Sequence, residues 1–122
     1  MVEIHAYSKA ASGGKQLSAH FKVREFACGD GSDAVLVAPR LVMVLQSIRS
    51  HFAAPVVIHS AYRTPQYNAK VGGAAHSQHC YGTAADISVR GQTPAAVAAY
   101  ARELMPDWGG VEVREARADW TG

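Results

Sequence analysis

The sequence has no block of like charge: 12 basic and 10 acidic side chains lie scattered along it, leaving a net charge of +2. So even a balance gives no electrostatic footprint for nucleic acid or for an anionic membrane. It has no apolar run near the ~20 residues that a membrane-spanning helix needs. Its opening, MVEIHAYSKAASGGKQ, lacks the basic head and apolar stretch of a secretion signal. The expectation is a protein made in the cytoplasm that reaches any outside target by export or lysis. Only two cysteines are present, Cys28 and Cys80, far apart and in no C-x-x-C spacing, which leaves one disulfide or two free thiols. Internal repeats, low-complexity tracts and linkers are also missing. What remains is a 122-residue chain, expected to be a single domain over 1–122 that can bury a core without staples.

The elements can be read from spacing. Residues 2–7 suggest a short strand, followed by a polar Ser/Gly/Lys loop, and CGDGSD over 28–33 is rich in turn formers. Leu41, Leu45, Ile48 and Phe52 recur at helical spacing after Pro39, so 39–53 is predicted to be an amphipathic helix burying those four. Val56-Val57-Ile58 reads as a buried strand, Thr64-Pro65 as the cap of a brief helix, and 74–83 as a loop. Over 84–89 a strand is predicted, with Ala85, Ile87 and Val89 on one face and Ala84, Asp86 and Ser88 on the other. Thr93-Pro94 caps a helix over 94–105 with Val97, Tyr100, Ala101 and Leu104 on its apolar stripe. A last strand is expected near 111–114. Strands and helices mix without a βαβ rhythm, so the fold class is α+β: a small, mainly antiparallel sheet with packed helices.

The chemistry concentrates in Ser77-Gln78-His79-Cys80-Tyr81-Gly82-Thr83-Ala84-Ala85-Asp86. His79 ends a loop, and seven residues later Asp86 projects from the polar face of a strand. Gly82 permits the sharp turn between them. Imidazole plus carboxylate is a standard pair for zinc, whose catalytic sites take three protein ligands and leave a fourth position for water. On spacing alone, the pair competes with a capped turn and a solvated carboxylate.

The pattern S-Q-H-x-x-G-x-A-x-D resembles the S-x-H-x-x-G-x-A-x-D signature of the zinc D-alanyl-D-alanine carboxypeptidase-like family. That family includes vancomycin-resistance dipeptidases and L-alanyl-D-glutamate endolysins of phage. A companion element, S-x-Y-R-[ST]-P, is matched by Ser60-Ala61-Tyr62-Arg63-Thr64-Pro65. Asn68 and Val71-Gly72-Gly73-Ala74 look like the family's connecting segment, and 21–28 is similar to the leader of its small, prophage-type branch. The resemblance implies a hedgehog/DD-peptidase-like fold, Zn2+ as cofactor, peptidoglycan stem peptides as substrate, and action on the cell wall as a monomer. It implies that His79 and Asp86 are metal ligands and that Arg63 steadies the substrate carbonyl or carboxylate. Ser77 would lie near the substrate, against the alternative of a hydroxyl bonding its own backbone. Tyr62 and Cys80 read as packing.

The chain departs from that family at one point. The family closes its site with a histidine on a late strand, and no histidine follows His79 here. Gly109-Gly110 resembles the start of that strand and Val113-Arg114 its end, with the middle missing. An omitted segment, a natural deletion, or replacement by His76 or His59 would each account for this. Glu112 stands where the family has an aspartate, and the resemblance offers it as the catalytic base against a solvated strand carboxylate. Two functions from different classes follow: a zinc peptidase, or a non-catalytic wall-binding module that has lost its third ligand.

Overall fold

A computed structural model describes residues 3–105. The strand expected near 111–114, and Glu112 with it, lie outside the described residues. Within them the chain forms β1 (His5–Ser8), α1 (Lys9–Ser12), β2 (Gln16–Ser18), β3 (Phe21–Lys22) and a 3-10 turn at Val23–Phe26. There follow β4 (Ala34–Val37), α2 (Pro39–Phe52), β5 (Val56–Ser60) and α3 (Pro65–Lys70). A second 3-10 turn at Gln78–Tyr81, β6 (Asp86–Val89) and α4 (Pro94–Leu104) complete the order.

The architecture is α+β, and its strands pair as three antiparallel ribbons among the described residues: β1 with β4, β2 with β3, and β5 with β6. The sequence reading had one small sheet. Alternation identifies strands, but the choice of partner depends on long-range packing that alternation does not encode.

The longest helix, α2, starts where Pro39 supplies a preset φ at the first turn, and ends at Ala53, whose φ of 49° breaks the right-handed spiral. Leu45 and Ile48 are buried as expected, joined by Val42 and Val44. Leu41 and Phe52 are only partly buried, packed at the edge of the core. At that edge Tyr100 of α4 stacks on His51 at 3.8 Å and meets Phe52 edge-on at 5.8 Å. The helix packs against α4, β2 and β5, which widens its apolar stripe. The rest of the core comes from Phe21, Val23 and Phe26 around the first 3-10 turn, Val35 and Val37 of β4, and Val89 of β6. Each such side chain contributes roughly 1.5–3 kcal/mol when taken fully from water.

On α4, Val97, Ala98 and Ala101 are buried, while Tyr100 and Leu104 pack against the core margin. In β6, Ile87 and Ala85 before it face the core, as read from the sequence, with Asp86 on the opposite side. The β5–β6 ribbon carries a register shift between Ile58 and Ser60, so Val56, Val57 and Ile58 pair with Val89, Ser88 and Ile87, and Ser60 then opposes Asp86. Such a bulge re-aims the strand beyond it. Here it sends the chain from Ser60 toward Arg63, alongside the start of β6.

Candidate functional site

Two loops meet at this end of the β5–β6 ribbon: the 60–65 segment that leaves β5 and the 3-10 turn that precedes β6. They clasp each other through main-chain groups. Arg63 N–H donates to the His79 carbonyl at 3.0 Å, and the His79 ring Nδ1–H donates to the Ala61 carbonyl at 2.6 Å. Ser77 caps the turn by accepting the His79 N–H at 3.2 Å. The turn ends at Gly82, which is left-handed with φ +74°. A Cβ there would collide with the Leu36 carbonyl of β4, and the Gly82 carbonyl accepts from Ala38 N–H at 2.9 Å. Glycine is therefore required twice, for its φ and for the close approach of two backbones. The 74–83 loop of the sequence reading contains this turn, which has too few residues to display a period.

The clasp fixes the chemistry of His79. A carbonyl only accepts, so Nδ1 carries a proton, and the tautomer this sets for the neutral ring has its lone pair at Nε2. That nitrogen lies 3.5 Å from Asp86 Oδ2, and Arg63 Nη2 lies 3.5 Å from the same oxygen. The side chains are 12%, 24% and 17% exposed for His79, Asp86 and Arg63. The structure thus brings together His79, Asp86 and Arg63, and sets Ser77 beside them as the cap of the turn. With the ring neutral, two electron-pair donors, His79 Nε2 and Asp86 Oδ2, face one another. Their 3.5 Å spacing matches the roughly 3.4 Å that tetrahedral zinc with ~2.1 Å bonds sets between two ligands. An imidazole whose second nitrogen is tied to a carbonyl is the usual form of a zinc-bound histidine. By donor set and spacing the pair fits two positions of such a metal.

No third protein donor joins them among the described residues, where no group of three or more His, Cys, Asp or Glu side chains is placed to hold a metal. His59 is exposed on β5 and pairs with Ser88 Oγ at 2.8 Å. His76 is exposed ahead of the turn. Neither takes the third position. Both cysteines are free, with Cys28 buried and Cys80 half-buried.

Arg63 is itself held. Its Nε donates to Ser60 Oγ and its Nη1 to Asn68 Oδ1, each at 3.2 Å. Sequence reasoning gave no role to Ser60 or Asn68; the small polar residues at those points of the motif were the only signal. Behind Arg63, Thr64 caps α3 by accepting Tyr67 N–H at 3.2 Å and donates its hydroxyl to Asp30 Oδ2 at 3.0 Å. The Ser32 hydroxyl and N–H, with the Cys28 thiol and Thr64 hydroxyl, hold the Asp30 carboxyl well below the usual carboxylate range. Tyr62 packs as expected, 8% exposed. Burial first, then the neighbouring Cys28, Cys80 and Asp30, pushes its hydroxyl above the ordinary value. A cleft of about 210 Å³ opens beside Arg63, between Tyr62, Tyr67, His59 and Val71.

Among the described residues no helix is long and apolar enough to cross a membrane. No curated protein and no solved structure matches the chain. Residues 12–117 match the family Peptidase M15, a span that takes in both loops of the clasp. The chain therefore belongs to the peptidase M15 family.

Proposed function

We propose that the protein is a zinc metallopeptidase that cleaves peptide bonds in peptidoglycan stem peptides, at a D-alanyl-D-alanine or an L-alanyl-D-glutamate bond. The observation that carries this reading is the His79–Asp86 pair, with its 3.5 Å spacing and a ring tautomer set by the Ala61 carbonyl. Members of the family are generally zinc-dependent, and His79 Nε2 and Asp86 Oδ2 would hold the metal. When bound, zinc supplies Lewis acidity, activating water near neutral pH and polarising the scissile carbonyl.

The protein's own groups do the rest. Arg63 has five N–H donors, and Ser60, Asn68 and Asp86 leave some of them for the substrate oxygen that gains negative charge as the carbonyl is attacked. The two loops hold that guanidinium in place before substrate arrives, so no ordering is needed at the moment of reaction. Ser77, at the head of the turn, borders the substrate. Glu112 takes the proton from the attacking water.

The test is digestion of purified muropeptides with and without added zinc, read by mass spectrometry. Loss of a terminal D-alanine, or scission after L-alanine, that a chelator stops is expected. Intact muropeptides in excess zinc would reject the peptidase. One observation favours a second reading, a wall-binding module without catalysis: no third donor joins His79 and Asp86 among the described residues. Retention on isolated cell-wall sacculi without any cleavage would identify that module.

A further inference from the structure

Asn68 is the only buried polar or charged residue among those described, 3% exposed on the short helix α3. Burying an amide is costly unless its donors and acceptors are met. Here they are. Its Oδ1 accepts from Arg63 Nη1 at 3.2 Å and its Nδ2 donates to the Ala74 carbonyl at 2.8 Å. Its main-chain N–H donates to Thr64 O at 2.9 Å, and its carbonyl accepts from Gly73 N–H at 2.8 Å. The room for this amide is made by Gly73, since any Cβ at that position would overlap the Asn68 side chain.

We propose that Asn68 is a positioning residue for Arg63. A guanidinium is a rigid plane, so two anchored nitrogens fix its orientation. Ser60 anchors Nε, and Asn68 anchors Nη1. With both in place, Nη2 is directed at Asp86 Oδ2. Without Asn68 the plane turns about its last side-chain bond, and Nη2 leaves the Asp86 oxygen and the substrate oxygen together. Through Nδ2 the same amide ties this arrangement to Ala74, at the entrance to the segment carrying Ser77 and His79. The kinetic part of the inference rests on the peptidase reading; the structural part does not.

The experiment compares 15N-labelled full-length native protein with Asn68→Ala and Asn68→Asp, reading solvent exchange of the Arg63 Nε–H signal, which Arg63→Lys identifies by its loss. Asn68→Ala should speed that exchange about tenfold or more, as the local anchor is lost. Asn68→Asp keeps an oxygen for Nη1 and loses the bond to Ala74, so its Arg63 signal should stay near native while its melting midpoint falls. On muropeptides, a displaced guanidinium should lower kcat about 10²-fold with KM changed far less. In an Arg63→Ala background the same Asn68→Ala change should cost less than about twofold, because the residue acts through Arg63. If Asn68→Ala does not fold, Asn68→Ser, too short to reach Nη1, replaces it in the comparison. An unchanged Arg63 signal in Asn68→Ala or Asn68→Ser, equal loss in Asn68→Asp, or additive losses of kcat would overturn the proposal. Native protein that cleaves no muropeptide would reject the peptidase reading, while the Arg63 signal would still decide the role of Asn68.

Discussion

Asp86 Oδ2 lies 3.5 Å from both His79 Nε2 and Arg63 Nη2, so a cation bound there would share one oxygen with the guanidinium. Their separate duties should part on mutation. Arg63→Ala should leave zinc bound and lower kcat about 10²–10³-fold, the loss typical of a single donor to a developing oxyanion. A variant that lost its zinc instead would make Arg63 a support for the ligand rather than for the substrate. Asp30 supplies a prediction in pH. Its carboxyl is held below its ordinary value, so the folded state favours the charged form and gains stability wherever the unfolded chain is also ionised. That gain is complete above about pH 4 and fades as pH falls further, when the unfolded chain takes up a proton first. Asp30→Asn should therefore melt lower than native protein at pH 7, with the gap closing in acid; a gap constant with pH would mean the charge plays no part. The residue types of the motifs made His79, Asp86 and Arg63 legible in the sequence. The Ala61 carbonyl that sets the ring tautomer was not legible, because a main-chain acceptor has no residue signature. The part Asn68 plays in holding Arg63 was not legible either, because its partners, Arg63 Nη1 and the Ala74 carbonyl, meet it only in the fold.

Helix α2 carries the clearest element-scale prediction. Leu45 is 3% exposed in the middle of the core, so Leu45→Ala should cost ~2–5 kcal/mol as a cavity. Urea melts showing a change under about half a kcal/mol would place that face in solvent. At its far end, Ala53 has a left-handed backbone that glycine adopts without a Cβ penalty. Ala53→Gly should raise stability by up to about 1 kcal/mol, the strain relieved less the extra freedom of the unfolded chain. This helix was legible because 14 residues give several repeats of one period, with Pro39 marking the start. The Gln78–Tyr81 turn was not, having a single turn and no period. Strands β1, β5 and β6 lie within about three residues of the expected strands, whereas β2, β3 and β4, of three, two and four residues, were not legible, being too short to show an alternation. The division into three ribbons was beyond alternation as well. The bulge that sends 60–63 toward β6 depends on the pairing of Ser60 with Asp86, a contact across 26 positions of chain.

At the scale of the whole molecule, the zinc reading predicts that folding and metal binding are linked. Zinc that binds only the folded chain should stabilise it by about 2.7 kcal/mol at a hundredfold excess over its dissociation constant. The melting midpoint should rise with zinc, fall with chelator, and lose this response in acid as His79 must be deprotonated to bind. Insensitivity to zinc at neutral pH would count against a site on this chain. Among the described residues no third donor joins the pair, and the late histidine of the likeness has no counterpart after His79 in the sequence. The claim on which the rest depends is that His79 and Asp86 hold a catalytic metal, and zinc content after exhaustive dialysis tests it most directly, with native protein measured beside His79→Ala. A single zinc per native chain, falling to a small residue in the variant, is the expected result; the same zinc content in both proteins would contradict it.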